Sequence, residues 1–401
     1  MNGRTALNGS EAMKPDTRYD AGDGGRAAAA KEFLGRLWRL ENAERPGFLI
    51  GYTGPQLKGG RPVRSALFST EGTETVRERL LDPAKFLSAQ LQEIEGQALF
   101  RGDFVPALCP ALGVVAVPSA FGAEVIWWEN DFPAVRPLIG EQTEKIRDLA
   151  RPSVRDGELG RILDYTRHFV KRTDARLPIR LGDIQGPIDN AALLFGHTHF
   201  LEALITHPKE VHHLLDMITD LMIAFAEAQG GLVRELGAEF VPSEFQPWLP
   251  DGGGLSVAND VGVMLSPELH DEFSVPYLNR ISEAFGGIYV HSCGDWTRIS
   301  SSLEKIRNLR GLEFGASEAP YDKVLERFSG RTVLACRVGL HRDIKFAGMA
   351  DFVRRVMTEA RTFRGLFIHV DITNGLVDET WPETDLGEIY RLVDDAAGEA
   401  C

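Results

Sequence analysis

No stretch of about 18 consecutive apolar residues occurs in the 401-residue chain, which excludes a membrane-spanning helix. Cysteine is scarce. The four thiols, at Cys109, Cys293, Cys336 and Cys401, are too few for a disulfide framework in a chain this long. They are left as core residues, metal ligands or reactive thiols. Cationic runs are also missing: 58 Asp and Glu outnumber 44 Lys and Arg, for a formal charge of −14. A nucleic-acid partner depends on neutralising phosphates with cationic side chains and is therefore excluded. The first thirty residues contain no apolar h-region of a secretory signal, so cytoplasmic residence is expected. They read as a disordered tail, with Met13 a second candidate start. Neither a G-x-G-x-x-G turn nor a G-x-x-x-x-G-K-[ST] loop is present, which argues against a nucleotide-binding open sheet.

Apolar residues make up 43% and charged residues 25%, enough for a large core. The length suits two or three domains or one α/β barrel. Residues 31–46 read as an amphipathic helix, 48–53 as a short strand, 76–98 as charged helix, and 114–118 and 123–128 as extended segments. Further on, strand-like runs at 179–185, 238–245, 287–293, 311–316, 332–338 and 366–372 alternate with helix-period stretches. In the clearest of these, Val211, Leu214, Leu215, Ile218, Leu221, Met222 and Phe225 form one stripe after Pro208. Ser266-Pro267 reads as an N-cap followed by proline at the first helical position. Apolar strands alternating with helices imply a parallel sheet covered by helices. The expected architecture is a (β/α)₈ TIM barrel with additional N-terminal helices, forming a single domain over residues 31–401.

A barrel gathers its chemistry at the C-terminal ends of its strands. Read in order, those ends carry Asp183 and Gln185, then Glu244, His291 with Cys293, Glu313, Cys336, and His369 with Asp371. His291 and Cys293 are two apart on one strand and share a face, so imidazole and thiolate can reach a single Zn²⁺. The plainer alternative is a core cysteine beside a hydrogen-bonded histidine. Cys336 is either a further ligand or a small buried hydrophobe. His369 and Asp371 are either ligand or supporting pair, or a hydrogen-bonded closure of the barrel. Glu244 and Glu313 suit a ligand or acid/base role, with a structural ion pair as the alternative. Asp183 and Gln185 stand before a Gly-Pro turn at the rim, and Asp260 lies in a loop before the Ser266 cap; substrate contact competes with capping for all three. His197 and His199 read as surface or capping histidines, and Phe121, Trp127 and Trp128 as core aromatics or pocket walls.

The phrases GDFVPALCPALGVVAVPSAFGAEV, GDIQGPIDNAALLFG, VANDVGVMLSPELHDEFSVPYL and IYVHSCGDW, in that order, resemble the uroporphyrinogen decarboxylase-like superfamily. The likeness is to its branch of cobalamin-dependent methyltransferases and demethylases and covers roughly residues 75–395. It implies the same barrel, and methyl transfer between a small-molecule donor or thiol acceptor and a corrinoid. It also implies zinc held by the pair matching His291 and Cys293. That branch takes a later cysteine near the end of the last strand, where this chain has none. Cys336, Asp371 or His369 is then the expected substitute. The Arg-rich R-Q-A-G-R motif of true decarboxylases is absent, and so is a D-x-H-x-x-G corrinoid motif, Tyr289 standing where that Asp would be. The corrinoid is therefore expected on a separate partner protein. A metal-free carboxy-lyase acting on a porphyrinogen-like substrate through Asp183 or Asp260, and a non-catalytic binding barrel, remain the alternatives. A homo-oligomer is compatible with all of them.

Overall fold

The computed structural model describes residues 24–51, 67, 74–98, 100–338, 346–371 and 384–399. Its strands in chain order are β1 (Gly47–Gly51), β2 (Val125–Ile126), β3 (Ala134–Val135), β4 (Ile179–Arg180), β5 (Phe240–Val241), β6 (Leu255–Ala258), β7 (Ile288–His291), β8 (Leu309–Gly315), β9 (Val333–Arg337) and β10 (Leu366–Asp371). Six of them form one wholly parallel sheet in the order β1-β10-β9-β8-β7-β6. Strands β4 and β5 form a second parallel pair, and β2 and β3 a small antiparallel hairpin. The regular ladder does not run all the way round. A few isolated hydrogen bonds bridge the gaps: Ser256 N to Pro242 O at 2.9 Å, Leu108 N to Pro178 O at 2.9 Å with Arg180 N to Leu108 O at 2.7 Å, and Asp103 N to Phe48 O at 2.8 Å. This is a TIM-barrel-type (β/α)₈ fold with N-terminal helices, as the alternation of strands and helices implied.

The helices follow their sequence signals. Helix Pro208–Glu235 buries the stripe that begins at Val211. Ser266 accepts from Leu269 N at 3.3 Å and starts helix Pro267–Phe273; Gly286, at φ 72°, ends helix Val275–Phe285 in the left-handed region. Two local expectations fail. The valine-rich 114–118 run forms the short helix Ala116–Ala120, with Pro118 in its first turn, where a missing N–H costs no helical bond. The first helix is Gly24–Trp38, not 31–46; the alanine run 27–30, the strongest helix former in that region, extends it back into the expected tail.

Two apolar layers result. The larger one fills the space between strands and helices. The smaller lies inside the barrel, where Leu49, Val241, Tyr289, Val333, Ala335 and Phe367 meet Leu34, Leu37 and Trp38 of the first helix. Trp38 donates its indole N–H to Trp248 O at 2.8 Å and stands edge-on to Tyr289, with centroids 5.2 Å apart. Truncating such a buried tryptophan costs about 3–5 kcal/mol. Side-chain alternation divides β9 between the two layers: Val333 and Ala335 join the inner one, whereas Leu334 and Cys336 join the outer one.

Candidate metal centre

Strand register builds the site. His291 on β7 pairs with Ala258 on β6 and Glu313 on β8, and one layer up Arg337 on β9 pairs with Gly315 and with His369. In-register neighbours on adjacent parallel strands stand about 4.8 Å apart, so their side chains meet. His291 Nδ1 lies 3.1 Å from Glu313 Oε2, a close ion-pair contact without the alignment of a hydrogen bond. Phe245, following β5, stacks on the imidazole at 4.3 Å with 8° between planes.

On the other edge of the ring, Nε2 is 3.4 Å from Cys293 Sγ and 3.6 Å from Asp260 Oδ1. Asp260 Oδ1 also accepts from Cys293 N at 2.6 Å. Among the described residues, Asp260, His291 and Cys293 form a cluster that could hold a metal ion, with their donor atoms all within 4.8 Å of one another. Nitrogen and oxygen at about 2.0–2.2 Å and sulfur at about 2.3 Å from a tetrahedral zinc lie some 3.3–3.8 Å apart, so the imidazole's spacings to sulfur and oxygen fit that ion.

A second tier holds the first. Arg337 donates to Cys293 Sγ at 3.3 Å and to Glu318 Oε1 at 3.3 Å, with its Nε 3.3 Å from Glu313 Oε1. Glu318 also accepts from Gly294 N at 2.8 Å. Asp189, at the start of helix Pro187–Phe195, accepts from Val261 N at 2.8 Å and Asp260 N at 3.2 Å, fixing the loop that carries Asp260. A Cβ at Gly186 would stand 1.9 Å from Ala258 O, so only glycine lets this turn approach β6.

Carboxylates crowd the mouth. Burial pushes Asp183 and Asp189 up, Asp189 to about 7, with Asp260's charge adding to the effect on both. Glu244 is driven well above the usual carboxylate range by burial and then by Asp183, and its Oε1 is sealed from solvent without a hydrogen-bond partner. His291 rises well above its ordinary value although burial opposes its charge, because Glu313, the Cys293 contact and Asp260 outweigh that cost. Glu313 moves the other way: burial resists, and His291 and Arg337 hold it ionised.

Asp183 accepts from Gln185 N at 3.1 Å and from the Gln185 amide at 2.8 Å, closing the turn; Gln185 sits at φ 52°. Cys336 is not part of the cluster. It is fully buried among apolar residues in the layer between strands and helices, because alternation along β9 turns Arg337 to the mouth instead. Of the two readings of Cys336, this placement matches the small buried hydrophobe. Asp371 ends β10 opposite Gly51, and its side chain lies outside the described residues. Asp260, read from the sequence as a rim acid, lies beside the His291–Cys293 pair. Arg337, Glu318 and Asp189 were missed. Arg337 adjoins Cys336 and Asp189 lies in the GPID phrase, but no spacing rule marks either one. His197 is exposed at the start of helix His197–Thr206, and His199 lies 3.4 Å from Glu202. Phe121 is buried and Trp128 exposed.

Comparison with known proteins agrees with this architecture. The family model "Uroporphyrinogen decarboxylase (URO-D)" matches residues 74–334, more than half of the chain. The uroporphyrinogen decarboxylase of Xanthomonas campestris pv. campestris (strain B100) is 27% identical over 176 residues, covering 42% of this chain and 44% of that protein. That of Xylella fastidiosa (strain Temecula1) is 26% identical over 175 residues, covering 42% and 44%. The chain thus matches under half the length of these curated relatives. Among solved structures, a methyltransferase from Methanosarcina mazei superposes with a TM-score of 0.61 at 16% identity, over 92% of this chain and 98% of its own, which is a likeness of fold. Sequence phrases, barrel and family model converge: the chain belongs to the uroporphyrinogen decarboxylase family.

Proposed function

We propose that this protein is a zinc-dependent methyltransferase or demethylase that moves a methyl group between a small molecule and a corrinoid carried by a separate protein. The observation that carries the reading is the cluster of Asp260, His291 and Cys293 at zinc-ligand spacing, at the barrel mouth. These three residues would hold the ion through a carboxylate oxygen, Nε2 and Sγ. When bound, zinc supplies Lewis acidity, stabilising a thiol as its thiolate or making a donor heteroatom a better leaving group.

The chain's own residues do the rest. Glu313 and Phe245 fix the imidazole, from its Nδ1 edge and from its face, so that Nε2 points toward Cys293 and Asp260. Arg337 holds Cys293 Sγ against Glu318, and Asp189 fixes the Asp260 loop. Glu244, whose carboxyl burial raises well above its ordinary range, is the acid placed to donate a proton to a heteroatom that gives up its methyl group.

The test is metal analysis of the purified chain beside methyl transfer to an added corrinoid protein. About one zinc per chain is expected, lost in His291→Ala, Cys293→Ala and Asp260→Ala. A folded protein with no zinc uptake overturns the reading. Carboxy-lyase activity is the second reading, favoured by the matched decarboxylases and by the raised Asp183. Carbon dioxide release from a porphyrinogen by metal-free protein would select it.

A further inference from the structure

Arg180 on β4 is 5% exposed and lines a cavity of about 330 Å³. A buried cation normally has a carboxylate partner, because desolvating an unpaired charge is costly. Among the described residues, no Asp or Glu oxygen forms an ion pair with Arg180. Its hydrogen bonds go to uncharged acceptors: Phe245 O at 2.9 Å, Ser243 O at 3.4 Å and Gln246 Oε1 at 3.1 Å. Nε–H and the second Nη2 proton take part in none of them.

The neighbouring acids are poor counter-ions. Burial, with Glu244's charge next, pushes the Cys109 thiol up to about 12, and burial likewise raises the Tyr289 hydroxyl well above its ordinary range, so these two stay neutral, while Glu244, its own carboxyl raised by burial, forms no ion pair with Arg180. Glu93, at the same cavity, accepts from Leu67 N at 3.4 Å and is not paired with Arg180. The rest of the wall is largely apolar, with Leu49, Phe86, Ile94, Phe104 and Phe132, and the amide of Gln90 beside them.

From this geometry we infer that the cavity is a subsite for a small carboxylate with a flat apolar body, its carboxylate paired with Arg180 and its body against the phenylalanines. The volume lies at the low end for small-molecule pockets and suits a single-ring acid, not a tetrapyrrole. Gln246 lines the cavity while its neighbour Phe245 stacks on His291, so an occupant lies beside the candidate metal centre. As an assignment of substrate class, the inference rests on the methyl-transfer reading. As a binding site it stands apart from the metal and can be tested without it.

The experiment is calorimetric titration of the full chain, metal-free and zinc-loaded, with benzoate, its neutral amide benzamide and the cation benzylamine. Benzoate should bind at least tenfold more tightly than benzamide and benzylamine in both metal states. Arg180→Gln should lose that preference while benzamide binding stays. Arg180 also anchors the 243–246 segment, so Arg180→Gln can fail to fold; Ala107→Trp, which fills the cavity from another of its lining residues, then locates the site by abolishing binding of both ligands. Equal binding of benzoate and benzamide, or benzoate binding unchanged in folded Arg180→Gln or in Ala107→Trp, overturns the inference. Zinc uptake with no benzoate preference sinks this subsite alone, whereas benzoate binding with no zinc uptake sinks the metal reading alone.

Discussion

Replacing Arg337 by methionine should be among the most damaging single changes in the barrel. The arginine side chain is 9% exposed, and its partners Glu313 and Glu318 are 6% and 2% exposed. Methionine fills much of the same volume but removes the guanidinium that lies against two buried carboxylates. Glu313 retains His291 at 3.1 Å, and Glu318 retains the N–H of Gly294 at 2.8 Å, but both lose the guanidinium packed against them. Breaking a buried pair by removing one partner costs about 3–5 kcal/mol, a large share of the roughly 5–15 kcal/mol that holds a domain folded. At about 1.4 kcal/mol per decade, that is two to three and a half orders of magnitude in the folding equilibrium. Urea unfolding followed by far-ultraviolet circular dichroism reads it as a lower midpoint at unchanged slope. Adding Glu318→Gln should recover about 1–3 kcal/mol, because a neutral amide oxygen still accepts from Gly294 N and no longer needs a cation. A single variant within about 1 kcal/mol of the parent, or a double variant no more stable than the single, refutes the claim that the ion pairs carry this region.

Glu313→Gln should weaken zinc binding about 10–100-fold in a competitive chelator titration, since it removes the carboxylate at the back of the ligand imidazole; unchanged affinity rejects that role. Cys336→Ala should leave zinc content as in the parent, because that thiol lies in the outer apolar layer; loss of metal in a folded variant would restore it as a ligand. His270 is fully buried, its Nε2 3.0 Å from the Asn259 amide, and burial lowers it from 6.5 to about 4. Below pH 6.5 the unfolded chain binds a proton that the folded one refuses, so stability should fall as pH drops from about 6.5 to about 4, by about 3 kcal/mol in all. Unfolding midpoints across that window should flatten in His270→Gln, and an equally steep slope there argues against the assignment.

Much of the architecture was legible because it depends on periodicity. The apolar runs near 288, 312, 334 and 368 are parallel strands, buried on both faces, and such strands announce themselves as continuous hydrophobic stretches. The Ser266 cap and the stripe from Val211 are local signals and behave as such. The 114–118 run shows the limit: β-branched residues favour a strand, but packing against neighbouring helices selected one short helical turn.

The site divides along the same line. His291 and Cys293 could be paired from sequence because two positions on one strand share a face by covalent geometry alone. The third donor could not. Asp260 and Cys293 are far apart in the chain, and their meeting depends on β6 and β7 lying side by side with the Asp260 loop held by Asp189. Whether Cys336 or Arg337 faces the mouth is a matter of one residue of register, which composition cannot set. Sequence by itself thus determined the alternation of strands and helices, the absence of a membrane-crossing helix and the imidazole–thiol pair. The tertiary structure alone decided which acid lies beside that pair, which arginine stands behind the thiol and which lines a cavity, because each is a contact between segments that only the folded barrel brings together.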